Sequence, residues 1–516
     1  MKYRLSVFSL ALSLFLSPLA AAQSPQATID IDTHHSVRLN RAYSGANTDV
    51  GFPVEYWDSR FNTLAAKADY AWIRFPGGTT GLMYDWHTGQ ERLDWLAEFA
   101  GADVGPTADE VYLVAGRGGA QLLDAARRAE YLGVTFVVCA NALTDTPKSI
   151  GELAAFIKRH HIRVAAWELA NEAYLYKSIF FVNPLTGKGD AGLYLDAMKP
   201  FRDAIKRVDP DAIVSVFASD PNHEDANWDA EIALYPDRYW DAISFHSYPA
   251  QSTGGFDTWV ANECGALATR SSTLLTDPAS LLGSLSDRFI ISEFNASNDI
   301  DHKTGATSIT DGTLWGGIFA AEYMMRMSAT GKVLNVGQNA AENHSGVDCA
   351  NTNRKLVIAI GKDVIAGTGT PIDTATLDFG FFVSAQAVAT SVLNEVVRHS
   401  RRVDFTTVTG GDSVAATGTL DGTMPALYAT AYGGDDDDDL SLVITNKSKN
   451  PQKVQIRLNG RKVDGRFALR FVTAPSADVS NSFANPTAVS VQARDAQGVI
   501  EIPPFSVVSI TGHDRP

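Results

Sequence analysis

The chain has 516 residues, a formal net charge of −16, 45% hydrophobic residues and 20% charged residues, which is an ordinary globular composition with room for two domains. The negative charge argues against nucleic acid or an anionic membrane surface as a partner. The composition leaves small-molecule partners open, and the oligomeric state cannot be read from it.

The first 22 residues have the pattern of a secretory signal peptide. Lys2 and Arg4 precede an apolar run at residues 6–16, and three alanines at 20–22 supply a cleavage site. An uncleaved anchor is the other interpretation, but the apolar run is short for a membrane span. We therefore expect an exported protein, secreted or periplasmic, with no membrane attachment after cleavage.

A large α/β domain is predicted from about residue 41 to 350. Short apolar runs alternate there with amphipathic helical stretches, the pattern of repeated βα units, which predicts a closed (β/α)8 TIM barrel. The predicted strands end near Asn47, Arg74, Asn141, Glu172, Ser219, His246, Glu293 and Gln338. In such a barrel all eight strand ends meet at one rim, where the chemistry of the fold is expected.

Two barrel helices can be predicted in more detail. Ser149 and Glu152 have the spacing of a capping box, which would start a helix at Ser149. A second helix is predicted over residues 314–328, before the eighth strand.

A β-sandwich is predicted from both ends of the mature chain. After residue 351 several runs alternate apolar and polar residues between turn signals, as in 440–446 and 453–460, and residues 27–39 alternate in the same way. We therefore assign 23–40 together with 351–516 to one C-terminal all-β sandwich that includes N-terminal strands.

No metal centre and no cofactor are predicted at the barrel rim, because no Cys/His spacing resembles a zinc site. Cys139 lies in an apolar run and is predicted to be a buried free thiol, whereas Cys264 and Cys349 could pair. The run Asp435 to Asp439 fits a solvated hairpin turn, and calcium binding there stays open.

Glu172 and Glu293 are the strongest chemical signal, because each is the last charged residue of an apolar strand-like run. Two carboxyl groups at one rim can cleave a glycosidic bond, one protonating the leaving oxygen and the other attacking the anomeric carbon. A general acid needs a raised pKa, so we expect burial and the charge of Glu293 to raise the pKa of Glu172. The alternative is that both are rim carboxylates in ion pairs.

Three motifs carry a resemblance to a known group. Residues 167–172 (WELANE) resemble the Asn-Glu acid/base motif of the retaining (β/α)8 glycosidases of clan A, and residues 291–294 (ISEF) resemble their nucleophile strand. Residues 73–78 (IRFPGG) resemble the second-strand motif of the branch that contains α-L-arabinofuranosidases, β-glucuronidases and heparanase. That branch also carries a sandwich built from both chain ends.

The resemblance implies a role for each matching residue. Glu172 matches the acid/base, Glu293 the nucleophile and Asn171 the ligand of the sugar 2-hydroxyl. Arg74 matches an arginine beside the nucleophile, where a permanent cation keeps a carboxylate ionised.

Two further residues match the sixth-strand positions of the clan. His246 and Tyr248 correspond to residues that orient the nucleophile or contact the sugar. Each also has a plainer interpretation, a satisfied core histidine and a packed tyrosine. The chain departs from its relatives at Ala170, where glycine is frequent, and in the eighth strand, which lacks a tryptophan.

The remaining candidates rest on position alone. Asn141, at the end of the third strand, could bind sugar or cap the next helix. Four aromatic residues could stack on sugar faces or could be packing: Tyr84, Trp86, Tyr174 and Tyr176.

The sequence therefore predicts a secreted retaining glycoside hydrolase that acts on an oligosaccharide or polysaccharide, in the manner of a β-glucuronidase or heparanase. An α-L-arabinofuranosidase or a β-glucosidase/β-xylosidase type of activity is the alternative. A non-catalytic carbohydrate-binding protein on an inactive barrel is the alternative from another class. Retention predicts carboxyl groups ~5–5.5 Å apart.

Overall fold

The computed structural model describes residues 26–48, 59–92, 119–219, 226–250, 252–270, 273–277, 279–297, 309–339, 347–350, 380–434 and 440–512. The predicted signal segment and the acidic run Asp435 to Asp439 lie outside these residues. None of the helices in the described part of the chain is long and apolar enough to cross a membrane.

Strands and helices alternate through the first two thirds of the described chain, and strands dominate the rest. The strands are β1 (Ala27–Arg38), β2 (Ser44–Asn47), β3 (Trp72–Phe75), β4 (Tyr84–Asp85), β5 (Gln90–Glu91), β6 (Thr135–Ala140), β7 (Val164–Leu169), β8 (Val214–Phe217), β9 (Ala242–Ser247), β10 (Phe289–Phe294), β11 (Val333–Gln338), β12 (Val347–Ala350), β13 (Gly380–Val383), β14 (Arg402–Thr409), β15 (Ser413–Ala415), β16 (Thr423–Pro425), β17 (Leu427–Gly433), β18 (Leu440–Asn446), β19 (Gln452–Leu458), β20 (Arg461–Lys462), β21 (Arg466–Thr473), β22 (Gln492–Gln497), β23 (Ile500–Ile502) and β24 (Ser506–Gly512). The α-helices are α1 (Ser59–Ala65), α2 (Gly119–Leu132), α3 (Pro147–Arg159), α4 (Lys177–Phe180), α5 (Ala191–Val208), α6 (Ala226–Leu234), α7 (Phe256–Thr269), α8 (Thr273–Thr276), α9 (Leu281–Leu285), α10 (Leu314–Ala329) and α11 (Ala385–His399). Short 3-10 helices cover Ala66–Ala68, Thr79–Leu82 and Ala173–Tyr176.

Eight parallel strands close into a barrel in the order β10-β11-β2-β3-β6-β7-β8-β9. Each neighbouring pair is parallel, and helices connect successive strands, so the predicted TIM barrel is confirmed. The strands end within three residues of the predicted positions. The carboxyl ends of all eight strands therefore meet at one rim, where the candidate residues lie.

Trp72 on β3 is fully buried among the barrel strands. Its indole lies against the backbone of Gly45 on β2 and Gly337 on β11, and its Nε1 donates to the carbonyl oxygen of Tyr43 at 3.1 Å. A Cβ atom built on either glycine would overlap the indole ring. The two glycines are therefore required by the tryptophan, which packs directly below the rim residues of the same strand.

We expect Gly45→Ala to destabilise the protein by about 1–3 kcal/mol, because overpacking forces backbone or rotamer shifts. Gly465→Ala is the matched control, because no atom lies within 4 Å of a Cβ at that glycine. The measurement is urea unfolding of both variants. Trp72→Leu should recover part of the loss in the Gly45→Ala background, and equal stability of Gly45→Ala and wild type would contradict this packing.

A second layer of the molecule is a curled ten-stranded sheet in the order β20-β19-β1-β14-β17-β18-β24-β21-β22, with β23 paired to β19. The N-terminal strand β1 is antiparallel to β14 and parallel to β19. Side chains from both ends of the sheet share one core, including Ile29, Ile444, Ile456 and Phe471. The predicted sandwich with an N-terminal strand is therefore confirmed.

The sheet packs on the barrel through α10 and α11. Glu322 on α10 is buried at this contact. Its Oε2 pairs with Lys447 Nζ, and its Oε1 accepts from Arg326 Nη2 at 2.8 Å. Burial raises the pKa of Glu322, but the charges of Lys447 and Arg326 lower it further, and the net shift is downward. The helix α11, which follows the barrel boundary predicted at residue 350, packs on α10.

The helix predicted to start at Ser149 starts two residues earlier. Thr146 is its N-cap, accepting from the backbone N–H of Ser149 at 3.2 Å, and Pro147 occupies the first helical position. The capping-box prediction was therefore wrong, because Pro147 has the φ that a first turn needs and lacks the N–H that would be left unpaired there. The helix predicted over 314–328 is confirmed as α10.

The two described thiols are both buried and free. Cys139 on β6 is the buried free thiol that the sequence predicted. Cys264 on α7, considered as a partner for Cys349, is also a free thiol in this structure.

Candidate active site

Glu293 and Glu172 lie at the carboxyl ends of two barrel strands, at the rim of the barrel. Glu293 is the fifth residue of β10, and Glu172 lies three residues beyond β7. The backbone of Ala170 and Glu172 is left-handed, with φ of 71° and 41°. Non-glycine residues adopt this conformation at a cost of about 1–3 kcal/mol, and such strain clusters at functional sites. Glycine adopts a left-handed backbone without this cost, which explains why it is frequent at the position of Ala170 in the clan that the motif resembles.

Glu293 is surrounded by hydrogen-bond donors. Arg74 Nη1 donates to Oε1 at 2.5 Å, and Asn47 Nδ2 donates to the same oxygen at 3.3 Å. The hydroxyl of Tyr248 donates to Oε2 at 2.9 Å. A carboxylate with a donor on each oxygen is held in one orientation and is stabilised as an anion. The structure thus brings the predicted residues Arg74 and Tyr248 to Glu293.

Arg74 joins Glu293 to Asn171. The Nη2 group of Arg74 donates to Asn171 Oδ1 at 2.9 Å. Because that oxygen is occupied, the Nδ2 group is the part of Asn171 left to donate to a ligand. An amide donor beside the two glutamates is the contact expected for a sugar 2-hydroxyl.

His246 lies between the two glutamates. Its Nδ1 is 2.8 Å from Glu172 Oε1 and 3.5 Å from Glu293 Oε2, and its Nε2 is 3.2 Å from Ser292 Oγ. The ring also packs edge-to-face on Phe217 at 5.2 Å. The structure therefore brings the predicted residue His246, which is fully buried, to both glutamates.

The charges of this group shift two pKa values in opposite directions. Burial lowers the pKa of His246, but the charges of Glu293 and Glu172 raise it, and the net shift is upward. Burial raises the pKa of Glu172, but the charge and hydrogen bond of His246 lower it, with help from Tyr174 and Arg74, and the net shift is downward. The expected rise in the pKa of Glu172 is therefore wrong for this structure, because Glu172 pairs with an imidazolium rather than facing Glu293 alone.

This pair gives stability a defined pH dependence. A raised His246 pKa contributes stability that is fully present below the unfolded value of 6.5 and is lost as the pH rises through the folded pKa. A lowered Glu172 pKa contributes stability that is present above the unfolded value of 4.5 and is lost as the pH falls through the folded pKa. Between pH 4.5 and pH 6.5 both contributions to stability are present.

We therefore expect His246→Asn to lower the melting temperature most between pH 4.5 and 6.5, and progressively less at alkaline pH. The measurement is thermal unfolding of both proteins over a pH series. The exposed His161→Asn is the control for a histidine substitution outside this pair. A difference that grows at alkaline pH would contradict a charged His246–Glu172 pair.

Several residues of the site were not predicted. Asn47 ends the first predicted strand and Ser292 lies in the 291–294 motif, but neither was given a role. Gly78 ends the 73–78 motif, and it is needed because a Cβ there would lie 2.6 Å from Glu293 Oε1. Glu168 accepts from Arg74 Nε at 2.7 Å. Its place in the 167–172 motif, four residues before Glu172, is the signal that could have singled it out.

Other predicted residues lie elsewhere or act differently. Asn141 bonds to the carbonyl of Tyr84 and to Thr144, so the structure does not bring it into contact with the glutamates. The four rim aromatics are all buried. Among them the hydroxyl of Tyr174 donates to Glu172 Oε1 at 3.0 Å, so it contacts the acid/base candidate through its polar end.

Solved structures of similar architecture are glycoside hydrolases. An α-L-arabinofuranosidase from Thermotoga maritima, in an arabinose complex, matches with a TM-score of 0.64 and 16% identity over 94% of this chain and 99% of its own. A Paenibacillus polymyxa xyloglucanase of glycoside hydrolase family 44 matches at 0.57 and 14%, over 94% and 99%. A 4-O-α-L-rhamnosyl-β-D-glucuronidase from Fusarium oxysporum 12S matches at 0.57 and 14%, over 93% and 100%. No family model and no curated protein matches the sequence.

At these identities the likeness concerns the fold. The chain has the fold of the clan A (β/α)8 glycoside hydrolases, as the sequence resemblance implied. These structural neighbours are themselves carbohydrate-active hydrolases.

Proposed function

We propose that this protein is a retaining glycoside hydrolase with Glu293 as nucleophile and Glu172 as acid/base. The observation that carries the proposal is the single nitrogen that both carboxyl groups reach, His246 Nδ1, at 2.8 and 3.5 Å. The two carboxyl groups therefore lie close enough to act on one glycosidic bond. The assignment of a direct attack to Glu293 rests on the resemblance of its motif to the nucleophile strand of the retaining clan.

The first step forms a glycosyl-enzyme. A carboxylate oxygen of Glu293 attacks the anomeric carbon, the bond to the leaving oxygen breaks, and Glu172 gives that oxygen a proton. Arg74 and Tyr248 hold the carboxyl group of Glu293 in one orientation through a hydrogen bond to each of its oxygens. Because His246 lowers the pKa of Glu172, the imidazolium Nδ1, 2.8 Å away, is the nearest source of the proton that Glu172 passes on.

The second step releases the sugar. Glu172, now a carboxylate, takes a proton from water, the water oxygen attacks the anomeric carbon, and the ester bond to Glu293 breaks. Two displacements at one carbon restore its configuration. The proton taken from water passes through Glu172 back to His246 Nδ1, 2.8 Å away, which restores the imidazolium–carboxylate pair for the next cycle.

The charges around the glutamates favour a neutral sugar. Among the described residues that contact Glu172 or Glu293, the cationic groups are Arg74 and His246, and both are already engaged with carboxylates. A uronic acid would need a further cation from outside this set. We therefore propose an α-L-arabinofuranoside as the first candidate substrate, in line with the arabinofuranosidases among the structural neighbours. A β-glucuronide is the second, in line with the glucuronidase.

The basic start, apolar run and small-residue site of residues 1–22 support export of the enzyme to a secreted or periplasmic location.

The test is a panel of aryl glycosides of α-L-arabinofuranose, β-D-glucuronic acid, β-D-glucose and β-D-xylose, followed by NMR of the first anomer released. We expect turnover of the arabinofuranoside and a first product with the configuration of the substrate. Inversion would contradict the mechanism. Glycan binding without turnover of any substrate would support the non-catalytic carbohydrate-binding alternative.

A further inference from the structure

Glu168 is a third carboxylate below the two glutamates of the proposed reaction. It lies on β7, four residues before Glu172, and its side chain is fully buried, as is that of Arg74. Glu168 Oε2 accepts from Arg74 Nε at 2.7 Å, and Glu168 Oε1 has no hydrogen-bond partner among the residues that the structure describes. The neighbouring strand places Cys139 opposite Glu168, and burial raises the pKa of that thiol to about 12, so it is neutral.

The guanidinium of Arg74 uses each of its three nitrogens for a different partner. Nε bonds to Glu168, Nη1 to Glu293 and Nη2 to Asn171. Because the guanidinium is planar and rigid, fixing Nε fixes the directions of both terminal nitrogens. The bond to Glu168 therefore sets where the other two nitrogens point.

Stability alone is a weak reason to keep this pair. A buried ion pair often contributes no more than apolar residues of the same volume, and a buried oxygen without a partner adds a cost. Glu168 Oε1 is such an oxygen. An ion pair that costs stability and contacts a proposed reacting group indicates that the pair serves function rather than stability.

We propose that Glu168 is a positioning residue that holds Arg74 so that one guanidinium orients both the nucleophile Glu293 and the sugar ligand Asn171. This inference rests on the proposed glycosidase function. Glu168 does not contact the substrate, and it acts only through Arg74. Its loss should therefore slow the formation of the glycosyl-enzyme more than it weakens the binding of substrate.

The test compares Glu168→Gln with Glu322→Gln, wild type and Glu293→Gln in one assay. Glu322 is the matched control, because it is also a fully buried carboxylate in an ion pair but lies at the contact between α10 and the sheet. We expect Glu168→Gln to lower kcat by roughly 10²-fold, the size of the loss when a reacting group is misplaced by about 1 Å, with KM changed less than about threefold. Glu322→Gln should lower the melting temperature and leave kcat near wild type.

A merely structural Glu168 would give the opposite pattern, a lower melting temperature with kcat retained, and that result would overturn the inference. Glu168→Asp keeps the negative charge but shortens the side chain by one methylene, so it should also lower kcat. If Glu168→Gln does not fold, the kcat of Glu168→Asp tests the inference in its place. If wild type hydrolyses a glycoside and Glu293→Gln does not, the proposed function stands whatever the Glu168 variants show. No turnover by wild type would overturn both proposals.

Discussion

Replacing Glu293 by glutamine should lower kcat/KM by at least about 10⁴-fold, because removing the nucleophile leaves only binding and electrostatic assistance. The amide oxygen can still accept from Arg74, and the Tyr248 hydroxyl can accept from the amide nitrogen, so the site should keep its shape. The measurement is steady-state kinetics on the best aryl glycoside of the panel, with thermal unfolding of the same preparation.

Glu152→Gln on α3 is the control for this substitution. Its side chain is about half exposed and does not contact the site, so activity should be unchanged. A Glu293→Gln variant that keeps more than about a tenth of wild-type activity would show that another group performs the attack.

Replacing Glu172 by alanine should have an effect that depends on the leaving group. General acid catalysis contributes about 10²–10⁴-fold, and it is needed only where the leaving oxygen must be protonated as the bond breaks. We therefore expect a loss of that size on an alkyl glycoside or natural glycan, and a much smaller loss in the first step on a dinitrophenyl glycoside. The measurement is the dependence of kcat/KM on the pKa of the leaving phenol.

Azide gives this prediction an independent check. A small anion needs no general base, so it should attack the glycosyl-enzyme of Glu172→Ala from the side that water uses and restore turnover. The expected product is a glycosyl azide with the configuration of the substrate. Equal losses on good and poor leaving groups, without azide rescue, would remove Glu172 from the acid/base role.

The sequence was sufficient for the architecture because a (β/α)8 barrel repeats one local pattern. Each buried parallel strand is an apolar run, and each ends in a polar residue at the rim, so strands and rim residues could be found together. The strand β1 could be assigned to the sandwich because its alternation matches a half-buried strand. Trp72 and its two glycines could not be paired, because they lie on three strands whose register only the closed barrel fixes.

The site was predictable where a residue acts from its own strand end, and unpredictable where it acts through a neighbour. Glu172, Glu293 and Arg74 stand at strand ends and carry motifs. Glu168 matters only because β3 and β7 place it against Arg74, and that contact spans the barrel interior. The pKa of Glu172 is lowered chiefly by the charge and hydrogen bond of His246, a residue of another strand, and no sequence spacing encodes that contact.

Asn141 illustrates the opposite error. Its place at the end of β6 is the same as that of the site residues, yet its amide closes the turn to Thr144. Position at the rim is therefore necessary for a site residue but not sufficient, because the loops that leave the rim also need their backbone groups satisfied.

Covalent labelling of Glu293 tests the central claim most directly. The protein would be incubated with mechanism-based inactivators of the arabinofuranose, glucuronic acid, glucose and xylose configurations, and analysed by intact and peptide-level mass spectrometry. We expect one adduct per chain, on Glu293, from the inactivator that matches the hydrolysed sugar, and none in Glu293→Gln. An adduct on another carboxylate, or turnover of a glycoside whose matching inactivator leaves no adduct, would contradict the account.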